Sequence, residues 1–468
     1  MIDPPNQSSS NRSSNTNEKN AAASTGAIHY GATWNPQAVG ISGEQKENVA
    51  VLVCHGMGQQ VRYETISAVA QSIREEATRH GNTVGPVEVH LSQANDAFLV
   101  RAELSWTDKD AVIHCVHVYE AYWAPLTEGR VTYWDTIKFL FRAAANCLSF
   151  MNPGQKFKRW IFGGPKELPV NRWAFFYVLI AMLILVMQIG IATYVTLGLA
   201  QALTKFMAHP LPTGIATFSG TAWQTWWNSL ASGSVPRMLV NLLLTIVVFY
   251  AMRWVRTLIV QYAGDVAAYI SPYKDSKFDE LRHKIQKVGL DVGKIIYGFG
   301  TSSGTPPQYQ RVVILGHSLG SVLAYDTLNA LINLDQTSEV GLQRDVLGRT
   351  PALITFGSPL DKTAFIFRMQ ARSNEDWIRE QLAAAVQPLI VSYEDYRRSN
   401  FQWINIWSPL DIISGCLEYY DDPAVAPGDA RHVQNMKDGQ AKKPVHAHIE
   451  YWEHDLLRQQ IYRFIGMS

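Results

Sequence analysis

Residues 311–332 constrain the fold more than any other stretch of the chain. Arg311–Leu315 (RVVIL) is apolar after its first residue, the pattern of a strand buried on both faces. It runs straight into Gly316-His317-Ser318-Leu319-Gly320, and Ser318–Ile332 then reads as a helix. A G-x-S-x-G sequence between a strand and a helix demands a sharp, strained turn. Side chains two positions either side of Ser318 would clash with the neighbouring strand and helix, which is why glycine stands at both. The turn lifts the serine Oγ above the sheet at a helix N-terminus, where the dipole favours developing negative charge. Ser318 is therefore the candidate nucleophile.

A serine needs a base to take its proton and an acid to orient that base. On this motif the partners follow in the order Ser, Asp or Glu, His. The acid is expected just after a late strand. Trp403–Trp407 reads as that strand, and Ser408-Pro409-Leu410-Asp411 follows it, so Asp411 is the candidate acid. Asp361, one strand earlier behind Ala352–Phe356, is the alternative, and Asp326 within the nucleophile helix is read as structural. The base is expected on a loop before the closing helix. Of His432, His446, His448 and His454, His448 fits best, His446 is the alternative, and His454 falls inside the expected helix Trp452–Ile465. His446-Ala447-His448 has no carboxylate or cysteine at metal-ligand spacing, so no metal is assigned. An oxyanion hole takes one N–H from the residue after the nucleophile, Leu319, and one from an early strand–helix loop. The loop His55-Gly56-Met57-Gly58 follows the apolar run Val49–Cys54, which makes Met57 the second candidate donor.

The surrounding pattern alternates strands and helices. Tyr63–His80 is amphipathic, with Ile66, Val69, Ile73 and Ala77 on one face. Val87–Leu91, Phe98–Trp106 and Ala111–Tyr119 read as strands, and Lys277–Gly298 and Asp376–Val386 as helices. Such alternation predicts an α/β fold with a mostly parallel sheet.

Charge divides the 468-residue chain. Lys and Arg total 41 and Asp and Glu 40, a net charge of +1, with no basic run to hold nucleic acid. Four scattered cysteines, Cys54, Cys115, Cys147 and Cys416, fit a reducing compartment. The Ser- and Asn-rich residues 1–27 read as a disordered tail without the apolar core of a secretion signal. From Trp173 to Met252 there are only two formal charges, Lys205 and Arg237. Within this block, 174–203 and 235–255 are candidate membrane spans, separated by a loop carrying Trp223, Trp226 and Trp227. Tyr133–Met151 is an amphipathic candidate for the bilayer interface. If the strands before and after the block share one sheet, the chain must return to its starting side, so the crossings number zero or two. The reading is therefore a helical insert at 127–262 within an α/β core at 28–126 and 263–468. It implies two spans with the catalytic part on the cytoplasmic face.

Taken together, GHSLGSVLAYDTL (316–328), ITFGSPL (354–360), the run ending at Asp411 and His448-x-x-Tyr451-Trp452 resemble the lipase and esterase branch of the α/β-hydrolase superfamily. They are similar in particular to the intracellular phospholipase A1 family with a DDHD domain. The resemblance implies an α/β-hydrolase fold and a cofactor-free Ser–Asp–His hydrolase of lipid esters, working at a membrane. The other functions open to the same triad are acyltransferase, thioesterase and glycolipid deacylase. A non-catalytic membrane scaffold on a hydrolase-like fold is the remaining alternative.

Overall fold

A computed structural model of the chain describes most of residues 46–135, 276–363, 401–421 and 432–466, with Ile28–His29 and scattered positions between 138 and 269. The tail 1–27, most of Tyr133–Met151, the tryptophan loop and the expected helix Asp376–Val386 lie outside the described residues.

The elements in chain order begin with β1 (Ile28–His29), β2 (Lys46–Cys54) and helix α1 (Glu64–Arg79). Strands β3 (Thr83–Val84), β4 (Glu88–Ala94), β5 (Ala97–Thr107) and β6 (Ile113–Ala121) follow, then the single turn α2 (Ala124–Thr127) and the two-residue strands β7 (Lys158–Arg159) and β8 (Lys166–Glu167). The second half has α3 (Ser276–Tyr297), β9 (Arg311–His317), α4 (Gly320–Thr337), β10 (Ala352–Phe356), β11 (Gln402–Trp407) and β12 (Gln434–Lys437). It ends with the single turn α5 (Ala447–Glu450) and α6 (Asp455–Ile465).

Among the described residues, ten strands form one sheet in the order β1-β4-β5-β6-β2-β9-β10-β11-β12, with β3 paired to β5. From β6 to β12 all pairings are parallel, whereas β4, β5 and β6 pair antiparallel. Strands from before and after the charge-poor block thus lie side by side: Val49–Cys54 of β2 pair with Arg311–Gly316 of β9.

Alternation along the central strands feeds two cores, because successive side chains leave opposite faces of a sheet. Val49, Val51 and Val53 of β2, with Val313 and Leu315 of β9, pack with Ile66, Val69 and Ile73 of α1 and Leu457, Ile461 and Phe464 of α6. Ala50, Leu52 and Cys54, with Val312 and Ile314, pack with Leu281 and Ile285 of α3 and Leu323 and Leu328 of α4. Each fully buried aliphatic side chain contributes about 1.5–3 kcal/mol. The result is a mixed α/β fold, with helices covering both faces of a largely parallel sheet.

The localisation read from the charge-poor block needs correction. Among the described residues no helix is long and apolar enough to cross a membrane, which overturns the two spans expected over 174–203 and 235–255. Scarcity of charge in a window measures composition, whereas a span requires about 20 apolar residues in one unbroken helix. The long described helices belong to the α/β unit instead: the 22-residue α3 carries exposed His283 and Lys287, and the 18-residue α4 is buried along most of its length. Described side chains within the block, including Leu183, Met187, Tyr194 and Leu243, are helical and exposed.

Candidate active site

The sheet order brings the ends of two strands from distant parts of the chain side by side. From β2 the chain proceeds to β6 on one side, and from β9 to β10 on the other. The carboxyl ends of β2 and β9 therefore flank a topological switch point, the usual ligand position in open α/β sheets. The loop His55–Met57 leaves β2 there, and Ser318 leaves β9.

Ser318 has φ 54°, the left-handed region that a side chain makes costly. Its N–H donates to the Phe356 carbonyl at 3.0 Å, tying the turn to β10. Its own carbonyl accepts from the Ser321 N–H at 2.9 Å and the Ser321 hydroxyl at 2.6 Å, and Ser358 lies 2.7 Å beyond that hydroxyl. The two motif glycines are steric necessities. A Cβ on Gly320 would lie 2.2 Å from the carbonyl oxygens of both Cys54 and His55, and one on Gly316 would lie 2.5 Å from the Ser321 Cα.

Three side chains far apart in sequence meet at this turn. The Ser318 hydroxyl donates to His448 Nε2 at 2.8 Å, and His448 Nδ1–H donates to Asp411 Oδ2 at 2.9 Å. Asp411 follows β11, and its Oδ1 accepts the Ile413 N–H at 2.9 Å while its Oδ2 also accepts the Tyr451 hydroxyl at 3.0 Å. Burial alone would raise the Asp411 carboxyl. The hydrogen bond and charge of His448, with the Ile413 and Tyr451 donors, overcome that and hold it at about 2. All three residues are buried, with Ser318 only 1% and His448 7% exposed.

The alternatives are placed elsewhere. His446 is exposed at the start of α5. Asp361 is buried behind β10, 3.6 Å from the Lys362 ammonium and against Gly415, while His448 Nδ1 is bonded to Asp411. Asp326 accepts hydrogen bonds on Oδ2 from Tyr269, Arg282 and Gln286, which ties α4 to α3. His432 pairs with Asp421 at 3.8 Å. His454 does not lie inside a helix as expected. It is extended, caps α6, and its Nδ1–H donates to Asp438 Oδ2 at 2.6 Å. His448 itself sits on the turn α5 rather than on a loop.

Two buried histidines frame the site that sequence reasoning left without a role. His317 Nε2–H donates to the His448 carbonyl at 2.8 Å, and its ring lies 5.1 Å from that of His448. Burial, then the neighbouring His448, pushes it down to about 3, so it stays neutral. His55 Nδ1–H donates to the Gly56 carbonyl at 2.8 Å, while its Nε2 accepts the Trp123 N–H at 3.0 Å. Burial pushes His55 down to about 4. The Gly56 carbonyl and the Met57 N–H belong to one trans peptide plane and point opposite ways, so anchoring the first aims the second. This loop lies close against Ser318, since a Cβ at Gly56 would lie 2.8 Å from the Ser318 Cβ. Leu319 caps α4, so its N–H belongs to the first turn, whose amides lack acceptors within the helix.

Metal-like spacing occurs among the described residues at Glu88, His90 and Glu103. These sit on β4 and β5, beyond β6 and β2 from the nucleophile strand, and Arg101 pairs with Glu103 there at 2.5 Å.

Comparison of the chain with protein-family models, with curated proteins and with solved structures finds no match.

Proposed function

We propose that the chain is a serine ester hydrolase of the α/β-hydrolase fold, acting on carboxylic esters of lipids. The observation that carries this reading is the continuous hydrogen-bonded chain Ser318 Oγ–His448 Nε2, His448 Nδ1–Asp411 Oδ2. In the proposed mechanism His448 takes the Ser318 proton as Oγ attacks the ester carbonyl. Asp411, held ionised, stabilises the imidazolium that forms. The N–H groups of Leu319 and Met57 receive the developing oxyanion. His448 then gives its proton to the leaving alcohol, and an acyl-serine remains. Water, deprotonated by His448, releases the acid and restores Ser318. Lipid as the substrate class rests on the resemblance of the motifs around Ser318, Asp411 and His448. A fluorophosphonate probe should label the folded protein, and Ser318→Ala should lose the label. Folded parent protein that remains unlabelled would remove the hydrolase reading. Cleavage of short soluble esters with no release of fatty acid from phospholipid vesicles would remove the lipid assignment.

A further inference from the structure

Tyr451 is wholly buried, yet its hydroxyl is spent on the site rather than on the core. It donates at 3.0 Å to Asp411 Oδ2, the same oxygen that receives His448 Nδ1–H. The Ser414 hydroxyl lies 3.2 Å from it on the other side. The ring lies edge-on to Phe356, and a Cβ at Gly357 would come within 3.2 Å of the Tyr451 ring and 3.3 Å of the His448 ring, so a glycine at this point leaves both rings their room. Tyr451 follows His448 by three residues across α5 and the 3-10 turn Tyr451–Glu453, so one short segment delivers both donors to one carboxylate.

We propose that Tyr451 is a positioning residue that sets the basicity of the Asp411–His448 pair by competing with His448 for Asp411 Oδ2. The assignment rests on the hydrolase reading. Its physical basis is that every donor to a carboxylate stabilises the charged form and draws electron density from the remaining bonds. Among the described residues Asp411 has three such donors: Ile413 N–H on Oδ1, and His448 and Tyr451 on Oδ2. Removing the tyrosine hydroxyl leaves Oδ2 to His448 alone. The remaining hydrogen bond tightens, and the carboxylate supports an imidazolium more strongly. The other groups facing His448 are Ser318 at Nε2 and His317 at its carbonyl and ring face. The His454–Asp438 pair lies behind Tyr451, the His454 ring 6.5 Å from the Tyr451 ring and its backbone N–H on the Tyr451 carbonyl at 3.2 Å. None of these changes with the Tyr451 hydroxyl.

Tyr451→Phe keeps the ring and removes the donor, which makes it the informative substitution. The acid limb of the fluorophosphonate labelling rate, measured on the full chain, should move to higher pH by about half a unit to one unit. The low-field proton resonance of the His448–Asp411 hydrogen bond should move further downfield. A merely structural tyrosine would lower the melting temperature and leave both readouts in place, and that result overturns the proposal. The resonance is read without any turnover. Failure of the parent protein to label at all therefore strikes the hydrolase reading, whereas an unmoved resonance strikes the role of Tyr451.

Discussion

At the scale of single residues, the turn at Ser318 is determined by what cannot fit. Ser318 accepts a left-handed backbone because Gly320 lets α4 start against the carbonyls of Cys54 and His55. Those carbonyls belong to main chain and cannot rotate aside as a side chain would. Gly320→Ala should therefore destabilise the protein by about 3 kcal/mol or more, read as a lowered urea midpoint, and should also reduce probe labelling. A variant as stable and as readily labelled as the parent would show that the turn is not built this way. Ser318, Asp411 and His448 could all be read in the sequence, because the motif fixes the serine and the chain order restricts its partners. His55, His317 and Tyr451 could not be assigned roles. Their significance lies in hydrogen bonds to Gly56, to His448 and to Asp411, which no spacing rule encodes.

Among the elements, those with strong apolar runs were legible and those settled by tertiary contacts were not. Val49–Cys54 and Arg311–Leu315 announce buried strands, and each is extended in the structure by polar residues outside its apolar run, such as Lys46 and His317. Strand β12 (QNMK) has no apolar run and is half-exposed at the sheet edge, so only its pairing with β11 reveals it. The closing helix was read as one element from Trp452 to Ile465, but it breaks at His454. Asp438 holds the His454 ring, Gln440 Oε1 accepts the Asp455 N–H at 2.9 Å, and Arg79 of α1 donates to the Asp455 carboxylate at 3.0 Å. This clamp separates the turn bearing His448 from α6. Asp438→Asn and His454→Gln should each cost about 1–3 kcal/mol, and the double variant should cost clearly less than the sum. Strict additivity in urea denaturation would show that the pair does not couple β12 to α6.

For the whole molecule, the same buried groups predict a particular response to acid. His55 and His317 sit at about 4 and about 3, below the ordinary histidine value of about 6.5, so the fold keeps them neutral. Below pH ~6.5 the unfolded chain takes up protons that the native state refuses. Stability should thus be complete above that value and fall steadily toward pH 3–4, by on the order of 2 kcal/mol per histidine at pH 5. Asp411, held at about 2, adds a second contribution to stability, present above the ordinary carboxylate value of about 4 and lost as pH falls toward 2. Urea midpoints at pH 7.5 and 5 should differ, and His317→Gln should flatten the difference. An equal slope in parent and variant would exclude His317 as a source. The α/β class and the pairing of the two flanking halves follow from strand–helix alternation and buried runs. The two spans did not follow: charge density along a sequence is not a helix, and among the described residues no helix is long and apolar enough to cross a membrane.

The contact between β2 and β9 joins residues more than 250 positions apart, as in the bond from the Asn48 N–H to the Gln310 side chain. The entropy of closing a long loop grows only logarithmically, by about 0.6 kcal/mol for each doubling of its length. The seam that seats Ser318 is therefore nearly indifferent to how much chain is paid out between Val131 and Tyr269, the two core residues that bracket the charge-poor block. That interval is a place where the polypeptide can lengthen, shorten or be exchanged while Ser318, Asp411 and His448 stay in register.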